Sequence, residues 1–227
     1  LIRYIVNFVT SVKQTQKKRS YVSSVRTEQA EATRSRIIAA ANTCFSESGW
    51  SGTTLAQIAE RAGVTPQAVH LSVGSKPALL MAALGQAIAG GADGRPDADR
   101  PSFERALFRD ALQADATDAA RARAFAAATA AIHESAGPLF EVLAQAEQTD
   151  PDLRRRRAEI KERRLQLVRG MVRASGRRRG AAFDRLVDVI YALSSTSLHN
   201  EFASRGWARK VYQNWLADEL TRLLEGR

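Results

Sequence analysis

The segment Thr53-Thr54-Leu55-Ala56-Gln57-Ile58-Ala59-Glu60-Arg61-Ala62-Gly63-Val64-Thr65-Pro66-Gln67-Ala68-Val69-His70 constrains the fold more than any other stretch of the chain. Thr53 or Thr54 can cap a helix whose inner face is Leu55, Ile58 and Ala59. Ala59 must be small, because a second helix crosses close to it. Gly63, four residues on, can take the left-handed conformation that ends the first helix and opens a tight turn. Val64 plugs that turn from inside. Thr65-Pro66 then restarts the chain with a hydroxyl N-cap and a proline at the first helical position, and Val69 returns to the core.

A small residue followed by Gly at +4, Val at +5 and Val at +10 is the spacing of a helix-turn-helix. In that arrangement the second helix projects its N-terminal residues into the major groove of DNA. Thr65, Pro66, Gln67, Ala68 and His70 are the outward candidates: Gln can pair with adenine, and a small Ala can touch a thymine methyl. A plain helical hairpin with a glycine turn shares these features, so the flanking sequence has to decide.

Upstream, Arg34, Ile37, Ile38, Ala40, Ala41, Cys44 and Phe45 form an amphipathic helix ending in Glu47-Ser48-Gly49-Trp50. Downstream, Gly74-Ser75-Lys76 restarts a helix with a serine cap. From Arg34 the pattern reads R-x-x-I-x-x-A-A-x-x-x-F-x-E-x-G-W-x-x-T-T-x-x-x-I-A-x-x-A-G-V-T and closes on Gly-Ser-Lys. In this the chain resembles the TetR (tetracycline-repressor-like) family of transcriptional regulators over about residues 30–82. The resemblance implies a three-helix DNA-binding unit joined by a fourth helix to a C-terminal ligand-sensing and dimerisation domain. It also implies that an aromatic near the end of the third helix and the Lys opening the fourth hold phosphates. The Lys is Lys76. His70 stands where Tyr is usual, Val73 where Phe is usual, and Gln67 where Gly is common. The residues expected at DNA are therefore Arg34, Thr53, Thr54, Thr65, Pro66, Gln67, Ala68, His70 and Lys76.

Strand signals are nearly absent, and Ala-, Arg- and Glu-rich stretches with apolar residues three and four apart dominate. An all-α protein is expected, with a basic N-terminal arm over 1–27 that is disordered, a helix-turn-helix domain over 28–76, and a helical sensor and dimerisation domain over 77–227. Helices are expected near 117–135, 138–148, 152–174, 182–204 and 208–225, and a Gly/Pro/Asp-rich break at 90–97. A single cysteine among 227 residues excludes a disulfide framework and a cysteine-rich zinc module. No apolar run approaches the ~20 residues of a membrane span, and a cytoplasmic protein is expected. No hydrolase elbow, phosphate-binding glycine loop, metal cluster or redox cysteine pair is present. No enzyme activity, metal or cofactor is expected.

The net charge of +10 favours an anionic partner. Much of it sits in residues 151–180, with twelve basic residues against three acidic. A run such as Arg154-Arg155-Arg156-Arg157 is usually a solvated helix face; an anionic effector or weak nonspecific DNA contact is the alternative.

The helices near 182–204 and 208–225 carry more apolar surface than one packing face needs. They resemble the family's dimer-forming pair, and a homodimer on an inverted-repeat operator is expected. A small-molecule pocket would draw on Phe125, Thr129, His133, Phe140, Leu143, Met171 and Tyr191, of which the first three share one helix face. Such a stripe is more often core than pocket. The function expected is a ligand-responsive regulator that acts as a repressor and is released by a small-molecule effector. The alternative is a helical interaction protein of the same fold that has lost specific DNA binding.

Overall fold

A computed structural model describes residues 2–89, 108–113 and 115–226, with side chains from Arg26 onward. The expected break at 90–97, the side chains of the basic arm and the question of its disorder lie outside the described residues. The described elements are α1 (Ile2–Gly52), α2 (Leu55–Ala62), α3 (Pro66–Ser72), α4 (Lys76–Ile88), α5 (Arg109–Leu112), α6 (Asp118–Ala146), α7 (Pro151–Ala174), α8 (Ala181–Leu193), α9 (Thr196–Ser204) and α10 (Arg209–Glu225). Among the described residues no strand occurs, and no single helix is long and apolar enough to cross a membrane.

α1 runs without a break past residue 27 and buries Ile37, Ile38, Ala41, Cys44 and Phe45, one stripe at helical spacing. Gly49 leaves the helical region at φ 67°, ψ −170° and turns the chain toward α2. The Thr53 hydroxyl donates to the Cys44 and Gly49 carbonyls at 3.0 and 2.8 Å, which closes that turn.

The stripe of α1 packs with α2, α3 and α4, and also with Ala136, Leu139, Val142 and Leu143 of α6 and Leu153 of α7. Packing therefore runs without a gap across the boundary expected at residue 76. A second core joins Phe108, Phe125, Val168, Met171, Phe183 and Ile190 with Tyr212, Leu216 and Leu220 of α10. α6, 29 residues and about 43 Å long, contributes to both cores, and Ile132 touches each.

Two boundaries differ from the sequence reading. The helices expected at 117–135 and 138–148 are one, with Pro138 inside α6. A proline there forfeits one backbone hydrogen bond, but Ala130, His133, Ala136, Leu139 and Leu143 are buried on both sides of it, and a break would expose that continuous stripe. Conversely, the helix expected at 182–204 is two. Ser194 turns its hydroxyl back to the Ile190 carbonyl at 2.7 Å, and Ser195 caps a fresh start by accepting from Leu198 N at 3.2 Å. Four consecutive residues, Ser194-Ser195-Thr196-Ser197, supply side chains that compete with the backbone for its own partners.

Candidate nucleic-acid interface and internal cavity

The helix-turn-helix is assembled by local signals. Thr54 caps α2, accepting from Gln57 N at 3.2 Å while Gln57 Oε1 accepts from Thr54 N at 2.8 Å, a reciprocal capping box. Gly63 ends α2 at φ 66°, ψ 40°, and Val64 N closes the turn on the Ala59 carbonyl at 3.0 Å. Thr65 caps α3 by accepting from Ala68 N at 3.2 Å, with Pro66 in the first turn. Val69 is wholly buried and pins α3 to the core. Thr65, Pro66, Gln67 and His70 are exposed and Ala68 is half-buried, so α3 presents a free outward face.

That face also carries Leu71, which is 79% exposed. Its sequence signal was present: it lies four residues after Gln67, on the same side of a helix.

Three residues expected at DNA have structural duties. Thr53 is buried, at 1% exposure, with its hydroxyl committed to the end of α1, so it cannot reach a duplex. Arg34 donates from α1 to the Ser72 carbonyl and so fixes the last turn of α3 from 38 residues away. Lys76 lies over the indole of Trp50, its Nζ 4.3 Å from the ring centroid, and donates to the Trp50 carbonyl. Burial lowers the Lys76 pKa. Trp50 in turn stacks on Phe45.

A cavity of about 460 Å³ opens between α6, α7 and the α8–α9 junction. Phe125, Thr129, His133, Phe140 and Tyr191 line it, as the sequence suggested. Leu143 and Met171 do not: both are wholly buried, Leu143 in the core around α1 and Met171 in the core around α10. Their apolar neighbours leave them no face to a ligand.

The arginine-rich run is divided. Arg154 and Arg155 are exposed, Arg155 bridging to Asp152 at 3.0 Å, as a solvated face would have it. Arg157, Lys161 and Arg164, however, line the cavity. Their spacing of four and three residues, in register with Ile160 and Leu167, places them on one side of α7. That mixed stripe was the available signal. Arg157 pairs with Glu147 beyond the end of α6. The Arg164 guanidinium lies 3.7 Å over the Tyr191 ring and donates to the Tyr191 carbonyl, while its buried Nε has no partner among the described residues; burial lowers its pKa.

His133 is 5% exposed, and its Nδ1 has no hydrogen-bond partner among the described residues. Burial first, then the neighbouring His199 and Arg164, lower its pKa from 6.5 to about 3, so the ring is neutral. His199 and Tyr212 complete an aromatic cluster behind it, with ring centroids 5.1 Å from His133 to His199 and 4.8 Å from His199 to Tyr212.

Two helices join the cavity to Trp50 beside the helix-turn-helix. α6 carries Phe125 to Phe140 along the cavity and, beyond them, Gln145, whose Oε1 accepts from Trp50 N at 3.2 Å. α4 begins at Lys76, on Trp50, and ends at Ile88, which lines the cavity.

Residues 37–83 match the family model described as bacterial regulatory proteins, tetR family. A search among curated protein sequences gives no match. In fold the chain is similar to the crystal structure of the transcriptional regulator FadR from Bacillus subtilis in complex with stearoyl-CoA, at 16% identity and a TM-score of 0.60, over 83% of this chain and 96% of that one. The family match falls on α1 to α4, where the caps, the glycine turn and the exposed face of α3 have just been described, and the remaining helices complete the same architecture. On that match residues 37–83 are similar to the tetR family of bacterial regulatory proteins, and the fold of the chain as a whole is similar to that of the FadR structure.

Proposed function

We propose that the chain is a ligand-responsive transcriptional repressor that binds an inverted-repeat operator as a homodimer and releases it when a small molecule fills the cavity. The observation that carries the reading is α3: Val69 anchors it, while Gln67, His70 and Leu71 stand exposed on a face that no other part of the described chain covers. Gln67 is the residue suited to base readout. Thr65, capping the helix start, and His70 are suited to phosphates.

One reading head spans too few base pairs for useful specificity. Two related by a two-fold axis read half-sites a helical turn of DNA, ~34 Å, or a multiple of it apart. α8 and α10 are the candidate dimer helices, and Val189 at 44% and Val211 at 51% exposure are apolar surface that a second copy would cover. A ligand alters DNA affinity only through a difference in its own affinity for two arrangements of the heads. α6 and α4, fixed at one end to the cavity and at the other to Trp50, are the elements through which it would act. The fold neighbour was crystallised with stearoyl-CoA, a ligand with a long apolar chain, and the aromatic lining here suits an effector with an apolar body. The protein would act on DNA in the cytoplasm.

The test is a gel shift of the full chain on the DNA flanking its own gene at ~0.15 M salt, where specific complexes hold at about 10 nM or tighter. Gln67→Ala should relax base preference at one position of each half-site, about 1–3 kcal/mol of discrimination, with the salt dependence unchanged. His70→Ala should weaken all duplexes alike and flatten the salt dependence. Failure to hold any duplex specifically would leave the interaction-protein reading.

A further inference from the structure

The cavity is apolar over most of its wall, yet one side of it is strongly cationic. Arg157, Lys161 and Arg164 line it, and among the described residues no Asp or Glu does. Arg157 is neutralised by Glu147. Arg164 is not: it rests on the Tyr191 ring and carbonyl, and its buried Nε has no acceptor among the described residues. An uncompensated guanidinium at the edge of an apolar cavity is costly unless an anion meets it.

Two further groups line the same cavity. The first turn of α9, with Thr196 and Ser197 lining the cavity, brings backbone N–H groups that have no partner within the helix and the positive end of its dipole. His133, nineteen-twentieths buried, carries an unpartnered Nδ1 in the lining, and a neutral imidazole offers one N–H to an anion. Phe125, Ile132 and Phe140, which offer no polar side-chain atom, line the cavity from α6.

We propose that the cavity binds an amphiphilic organic carboxylate, its head held by Arg164, Lys161 and the start of α9 and its apolar body lying along Phe125, Ile132 and Phe140. One guanidinium and one helix start suffice to hold a single negative charge, while the rim ammonium stays in contact with solvent. The several charges of a nucleotide polyphosphate exceed what this wall can neutralise. The volume, in the lower half of the usual 300–1,000 Å³ range for small-molecule sites, suits a body of modest length. The proposal rests on the cavity being the effector site, and it adds the chemistry of what enters.

The experiment is calorimetric titration of the full chain with decanoate, decanol, decylamine and decanoyl-coenzyme A, each followed by a gel shift on the operator. Decanoate should bind at least about tenfold tighter than decanol, the difference a charge-assisted contact supplies, and decylamine should not bind. Lys161→Gln, on the exposed rim where folding is not at stake, and Arg164→Gln, checked by thermal melting, should each weaken decanoate about tenfold and leave decanol unchanged. Equal affinity for acid and alcohol, preference for the thioester or the amine, or no decanoate binding at millimolar concentration would overturn the proposal. Selective decanoate binding with no effect on the DNA complex would uphold the carboxylate site and contradict the effector reading instead.

Discussion

Arg121→Met is expected to lower the unfolding free energy by about 3–5 kcal/mol, the largest single-residue loss outside the apolar core. Arg121 is 1% exposed, and its guanidinium donates to the Ala111 carbonyl at 2.8 Å, the Ala116 carbonyl at 3.1 Å and the Ala174 carbonyl at 2.9 Å. These acceptors sit in α5, in the segment before α6 and at the last residue of α7. One planar fork therefore closes three open chain ends at once. Asp118, 3.8 Å from Nε, supplies the opposite charge. Methionine fills much of the volume but leaves three carbonyls without a donor, each costing about 1–3 kcal/mol if it stays buried. Urea denaturation followed by helical circular dichroism measures the loss. Arg121→Lys should fall between the two, because one ammonium cannot reach three divergent acceptors. A loss below about 1 kcal/mol for the methionine variant would mean that water replaces the arginine freely.

The second large effect is in acid. The unfolded chain protonates His133 near its ordinary pKa of 6.5, whereas the folded chain resists protonation down to about 3. Between those values the unfolded state holds more protons, so stability is greatest above pH 6.5 and falls as the pH drops. The slope for this one group approaches about 1.4 kcal/mol per pH unit. The groups facing the ring are His199, Arg164 and Tyr212, and burial raises the Tyr212 pKa, so that the phenol stays neutral throughout. His133→Leu removes the titrating group. Urea midpoints between pH 6.5 and 4.5 should then fall less steeply in the variant, by about one proton's linkage. Identical pH profiles would show that His133 takes up its proton without opening the site.

How much of this was legible in the sequence follows from the range of each interaction. The reading head was readable because its devices are short: Thr54 to Gln57, Gly63 to Ala59 and Thr65 to Ala68 each close within four residues. Lys76 was harder. Its partner Trp50 lies 26 residues away, and only the folded chain brings an indole under the ammonium. Thr53 was misplaced because two adjacent threonines can both cap, and the backbone hands one to the core and the other to solvent. In the C-terminal half, the common face of Phe125, Thr129 and His133 was legible, and all three line the cavity. Leu143 and Met171 share the composition of a lining but not the location, which depends on the core each joins. Arg157 and Arg164 were hidden by their neighbours: within an arginine-rich run, only the packing of α7 decides which guanidinium turns inward.

The central claim is that α3, held crosswise by the Gly63 turn, reads a duplex twice over. Selection of duplexes from a random library by the full chain at ~0.15 M salt tests it most directly. The enriched sequences should share a two-fold symmetric pair of half-sites, with their preference at one position in each lost in Gln67→Ala. Recovery of no common sequence, or of an asymmetric one indifferent to Gln67, would contradict it.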